Sequence, residues 1–135
     1  MTNRREALTG ALALLCQAAA SGQTPSQSPP GPVFKHALPR VNMDDWEVTV
    51  SYVDYAPGRV GAPHRHAGFV LAYVLEGTVI AKITGEPETT YKAGQMFYEF
   101  PGSTHEVSKN ASATMPAKLL AMIFAPRGAI LTVPA

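Results

Sequence analysis

The sequence predicts an all-β fold, one small barrel or jelly roll, and three observations carry that prediction. Short runs rich in β-branched and aromatic residues follow one another at close intervals, and Gly, Pro and Asn separate them. No segment keeps an i, i+3, i+4 apolar pattern for three turns, so no amphipathic helix competes with the strands. The length of 135 residues, 46% of them hydrophobic, suits one core and is too short for two comfortable ones. No internal repeat at a fixed period is visible, which points to a single barrel.

Eight strands are predicted in order. They are WEVTVSYVDYA (46–56), HRHA (64–67), FVLAYVLEG (69–77), TVIAKIT (78–84), ETTYKA (88–93), QMFYEF (95–100), HEVSKN (105–110) and AKLLAMIFA (117–125). The turns between them are APGRVGAP, HAG, TGEPE, KAG and FPGST, where Gly supplies backbone angles other residues resist and Pro fixes φ.

The residues ahead of the strands have a different character. MTNRREALTG is basic with adjacent arginines, and ALALLCQAAA is a short apolar stretch ending in small residues, the order of a secretory signal over 1–20. The apolar stretch is well short of the roughly 20 residues a membrane-spanning helix needs, so no stable anchor is expected. Arg4-Arg5 before Glu6, Ala7 and Leu8 resembles a twin-arginine signal, with Ala7 where that signal has Phe, and both export routes stay open. Cys16 falls in the apolar core of this signal behind Leu15, where a lipoprotein signal would have a small residue. It is the sole cysteine, so a processed chain forms no disulfide even in the exported, periplasmic or secreted location expected. Residues 21–32, SGQTPSQSPPGP, show no hydrophobic periodicity and are predicted to be a disordered tether, with the barrel domain spanning 33–135.

A formal charge of +1 creates no field that would gather nucleic acid or an anionic membrane, and those partners are excluded. Removing Arg4, Arg5 and Glu6 with the signal leaves nine basic and nine acidic residues, a formally neutral domain.

The chemistry concentrates in the histidines. Side chains at i and i+2 of a strand share a face, so His64 and His66 project together while Arg65 points away. His105 follows a strand and a Gly-Pro turn that can bring it across the barrel toward that pair, whereas His36 sits beside the tether. Three neutral imidazoles suit one divalent ion of iron, manganese, copper, nickel or zinc, and three protein ligands leave positions where substrate or water binds.

GRVGAPHRH followed by Gly77 resembles the first motif of the cupin superfamily, and GQMFYEFPGSTH resembles the second. Gly58, His64, His66 and Gly77 stand at the first motif's spacing; Gly94, Gly102 and His105 at the second's. Phe100 replaces the second motif's proline with Pro101 beside it, and Asn110 lies one position late. The resemblance covers roughly 44–130 and implies the double-stranded β-helix, or jelly-roll, barrel.

The first motif's glutamate is missing. Its position falls on Val70 when counted back from Gly77, and on Leu71 when counted forward. Without that carboxylate a divalent ion keeps its full charge, and the cavity is expected to prefer an anionic ligand. Glu99 is the acidic residue near enough in the second motif to substitute, as ligand or catalytic base. Glu76 is expected in a solvated turn and Glu106 on the side opposite His105. Parity places Val70, Ala72, Val74 and Val107 on the cavity wall, with Met96, Met122 and Phe124 as further wall candidates. Tyr52, Tyr73 and Tyr98 offer hydroxyls to position substrate, Tyr98 also as a general acid.

Cupins host oxygenases, isomerases, decarboxylases, lyases and binding proteins, so the fold names no reaction. The resemblance favours a metal-dependent enzyme, oxygenase before isomerase or lyase, acting on a small organic molecule. An exported protein that holds metal or a small ligand without turnover is the rival, and a metal-free barrel with hydrogen-bonded histidines a third reading. A homodimer is expected from the need to cover jelly-roll edges.

Overall fold

Two antiparallel sheets face each other in a computed structural model of the chain, which describes residues 30–135. The segment read as a signal and most of that read as a tether, 1–29, lie outside the described residues. Ten strands form, and no helix among the described residues is long and apolar enough to cross a membrane. They are β1 (Trp46–Tyr55), β2 (Val60–Gly61), β3 (His64–His66), β4 (Phe69–Glu76), β5 (Thr78–Ile83), β6 (Thr89–Lys92), β7 (Met96–Glu99), β8 (Thr104–Asn110), β9 (Ala117–Pro126) and β10 (Thr132–Pro134).

The first sheet runs β1-β9-β4-β7; the second runs β10-β3-β8-β5-β6, with β2 also on β8. β1 pairs with β9 along its whole length, from Trp46 opposite Pro126 to Tyr55 opposite Ala117. Eight strands match the predicted ones to within two residues at either end. The remaining two are β2, two residues inside the stretch APGRVGAP read as a turn, and β10, three residues ending on a proline. Neither is long enough to show an alternation.

The core lies between the sheets. Val70, Val74 and Val79 are fully buried, each contributing roughly 2 kcal/mol through removal of its side chain from water. Gly77 makes the β4–β5 hairpin possible: its φ of 71° lies in the left-handed region, and a Cβ there would stand 2.5 Å from the Pro116 carbonyl oxygen.

A register shift in the β5–β8 pair sets the direction of every side chain beyond it. Lys82 faces Val107 and Ile83 faces His105, so Glu106 is an extra residue, a β-bulge. His105, Ser108 and Asn110 are therefore the buried, inward positions of β8. The same insertion accounts for Asn110 lying one position late in the second motif: the added residue restores its inward parity.

Candidate functional site

A cavity of about 580 Å³ opens between the sheets, and His64, His66, Glu99 and His105 line it together. β3 and β8 bring the histidines together, because His64 pairs directly with His105 and His66 follows His64 on the same face. The His64 ring centroid is 5.0 Å from each of the other two.

Each ring is held through Nδ1. His64 Nδ1 donates to the Ala62 carbonyl at 2.9 Å, and His66 Nδ1 to the Leu131 carbonyl at 3.1 Å with Thr132 Oγ1 also at 3.1 Å. A carbonyl only accepts, so both Nδ1 atoms carry a proton, and in a neutral ring the lone pair is on Nε2. His105 Nδ1 stands 3.2 Å from Glu99 Oε1, and its Nε2 is buried without a hydrogen-bond partner. Burial pushes the His66 imidazole below its ordinary pKa, against the opposing pull of Glu99, which keeps that ring neutral.

Glu99 enters from the neighbouring sheet. It pairs with Val70 across β4 and β7, so the carboxylate stands one strand away from where the first motif's glutamate was expected. Only 5% exposed, it places Oε2 3.7 Å from His66 Nε2, too long for a hydrogen bond. The acidic side chain missing from the first motif is thus met from another strand, β7.

His64, His66, His105 and the Glu99 carboxylate converge here; His105 Nδ1 faces the carboxylate, and His105 Nε2 is left buried without a partner. A buried nitrogen with no partner is costly unless a cation or proton occupies it. The donor set therefore fits a metal ion by its chemistry. As the side chains stand, no three His, Cys, Asp or Glu among the described residues gather tightly enough to hold one.

Val70 and Ala72 line the cavity wall as parity indicated; Val74 lies in the core, beyond the lining. Val107 stands outside because the Glu106 bulge turns it outward. Met96 and Tyr98 alternate with the inward Phe97 and Glu99, and line a separate hollow of about 380 Å³ with Phe34 and His36. The His36 ring centroid is 4.1 Å from that of Tyr98, so Tyr98 is no acid for the histidine site. Met122 and Phe124 share the opposite parity from Ala121 and Ile123, which do line the cavity, and Phe124 instead stacks on Phe69 at 4.7 Å. Tyr52 is 70% exposed, and Tyr73, on the outward face of β4, lies outside the cavity as well. Glu106 pairs with Lys82 on the surface, which lowers its pKa.

Sequence reading missed the cavity's other polar groups. Tyr55 hydrogen-bonds Ser108 Oγ through its hydroxyl at 2.6 Å, and burial raises its pKa. Arg59, over the Tyr55 ring at 5.0 Å from its centroid, is the cavity's one Arg or Lys among the described residues. Leu131 and Thr132 of the C-terminal segment complete the wall at His66. Inward parity of Tyr55 was available from β1; the roles of Arg59 and Leu131 depend on loop paths that no periodicity encodes.

Residues 51–123 match the family model of the cupin domain, and the chain belongs to the cupin family. It is 34% identical over 79 residues to beta-alanine degradation protein BauB of Pseudomonas aeruginosa, covering 57% of this chain and 82% of that one. Among solved structures it resembles an oxalate oxidase in complex with the substrate analogue glycolate, at a TM-score of 0.55 and 24% identity, over 64% of this chain. This chain spans 45% of the length of that oxidase. A protein from Thermus thermophilus aligns at a TM-score of 0.51 and 28% identity, over 66% of this chain and 90% of its own.

Proposed function

We propose that this cupin is an exported, metal-dependent enzyme acting on a small organic anion. His64, His66 and His105 hold one divalent ion through Nε2, and Glu99 stands beside them as a fourth ligand or as the base. The observation that carries the reading is the buried, partnerless His105 Nε2, in a cavity that His64, His66 and Glu99 line with it. When bound, the ion supplies a Lewis acid and an open position for substrate. Iron, manganese, copper, nickel and zinc are all compatible with imidazole and carboxylate donors.

The chain's own groups orient and exclude. Val70, Ala72 and Ile123 keep the cavity apolar beside the histidines. Arg59 provides the positive charge that an organic anion meets on entry, so the anion preference rests on this guanidinium and no longer on a missing carboxylate. The name of BauB concerns β-alanine, a small carboxylate-bearing molecule, which agrees with that ligand class. Among the described residues Glu99 is the one carboxylate at the histidines able to take a proton from a bound substrate, and Tyr98 faces elsewhere.

Elemental analysis tests the reading. Protein purified without chelator should carry near-stoichiometric metal, and a His64→Ala, His66→Ala double variant should carry none. Oxygen consumption with a panel of small carboxylates then separates an oxygenase from an isomerase or lyase. A protein that neither carries nor takes up metal is a metal-free binding barrel instead.

A further inference from the structure

A second hollow, of about 380 Å³, shares no lining residue with the histidine cavity. It lies where the two sheets end: β7 is the last strand of the first and β6 of the second, and each is paired on one side only. Beside an edge strand, side chains of both parities reach one space, so Phe97 enters this hollow from the inward face of β7 and Tyr98 from the outward face. Tyr91 comes from β6, Phe100 from the turn after β7, and Phe34 and His36 from the segment ahead of β1. The volume falls in the range of pockets that hold small molecules.

The wall is built of rings. Five of the chain's ten Phe and Tyr residues line this hollow, against one, Tyr55, in the larger histidine cavity. The rings pack in contact, Tyr91 on Phe97 at 4.9 Å and Tyr98 on His36 at 4.1 Å between centroids. Three of the six ring positions fall outside the pattern shared with the family: Phe34 and His36 precede the matched residues 51–123, and Phe100 stands where the second motif has proline.

The charge is one-sided. Among the described residues Glu86 is the one Asp, Glu, Lys or Arg in the wall, and it is exposed and makes no ion pair. His36 Nδ1 and Thr89 Oγ1 donate to the Ala37 and Pro87 carbonyls at 2.7 and 3.1 Å, so these donors are already engaged. An anion therefore meets no Lys or Arg here. Aromatic faces carry the negative side of the ring quadrupole and attract a cation within about 6 Å of the centroid, and a carboxylate at the rim adds to that attraction. A quaternary ammonium suits such a wall better than a primary one, because it has no N–H to leave unpaired among the rings.

We propose that this hollow binds a small quaternary ammonium ion, its head against the rings of Tyr91, Phe97, Tyr98 and Phe100 and its charge facing Glu86. The site is separate from the histidine cavity and independent of any metal.

Isothermal titration of the full chain with choline, and with its uncharged tert-butyl analogue in which carbon replaces the nitrogen, tests this. Choline should bind at millimolar concentration and the analogue about tenfold more weakly. Phe100→Leu keeps an apolar side chain at a position 38% exposed, and should weaken choline about fivefold while leaving the analogue unchanged. Glu86→Gln, also on the surface, should weaken choline about threefold and leave the circular dichroism spectrum as in the wild type. A chain that binds no choline, or binds the analogue equally well, overturns the proposal. So does choline binding that survives both Phe100→Leu and Glu86→Gln unchanged.

Discussion

The two ends of strand β8 contain inward-facing polar residues in opposite states of satisfaction. At one end His105 joins His64, His66 and Glu99, and its buried Nε2 has no hydrogen-bond partner. At the other end Asn110 Nδ2 donates to the Tyr55, Ala56 and Met115 carbonyls at 3.2, 3.1 and 2.8 Å, and its Oδ1 accepts from the Ser112 amide at 2.9 Å. Midway, Ser108 and Tyr55 satisfy each other. One strand therefore carries a network that is complete without any ligand and a site that is incomplete without one. A buried polar group by itself does not mark function; its missing partner does.

The contrast can be broken most severely at the satisfied end. Asn110→Ala strands three carbonyls and should lower unfolding free energy by about 3 kcal/mol in a denaturant titration, while metal bound per folded molecule stays unchanged. At the other end the signs reverse. Glu99→Gln should reduce metal affinity roughly 10- to 100-fold, the usual result of disturbing a group that orients a ligand. The metal-stripped variant should be no less stable than wild type, because the amide oxygen of Gln can still face His105 Nδ1 as the carboxylate oxygen does.

Tyr55→Phe probes the midpoint and should cost about 1 kcal/mol, one hydrogen bond. Its pH behaviour is diagnostic. Burial raises the Tyr55 phenol above its ordinary value of 10.0, so the folded state retains the proton longer than the unfolded chain. The stability this provides is complete below pH 10 and is lost as pH rises from there through the raised folded pKa. Alkaline denaturation should therefore begin near pH 10 in wild type, and that component should vanish in Tyr55→Phe. The smallest effect is expected from Arg59→Gln: unfolding free energy within about 0.5 kcal/mol of wild type, with the thermal shift produced by small carboxylates reduced relative to their amides.

Legibility in the sequence followed the same physics. Strands long enough to alternate or to be rich in β-branched residues were visible, and the i, i+2 spacing alone paired His64 with His66. The inward face of β9 was not visible, since AKLLAMIFA is apolar at both parities. Met122 and Phe124 consequently looked like wall residues although they belong to the outer face. Val107 followed correct parity up to a bulge that only pairing reveals. Glu99 could be named as the candidate carboxylate, but its position beside His66 and His105 depends on the β4–β7 register, a relation between distant segments. Leu131, which orients His66, lies in a stretch with no strand signal of its own.

The hydrogen bond from His66 to Leu131 spans 65 residues of chain. At a synthesis rate of about 5–20 residues per second, His66 exists for roughly 3–13 s before its orienting carbonyl has been made. In that interval neither partner of His66 Nδ1, the Leu131 carbonyl or Thr132 Oγ1, exists to fix the ring. The last residues of the chain to be made are therefore the ones that complete the wall of its histidine cavity.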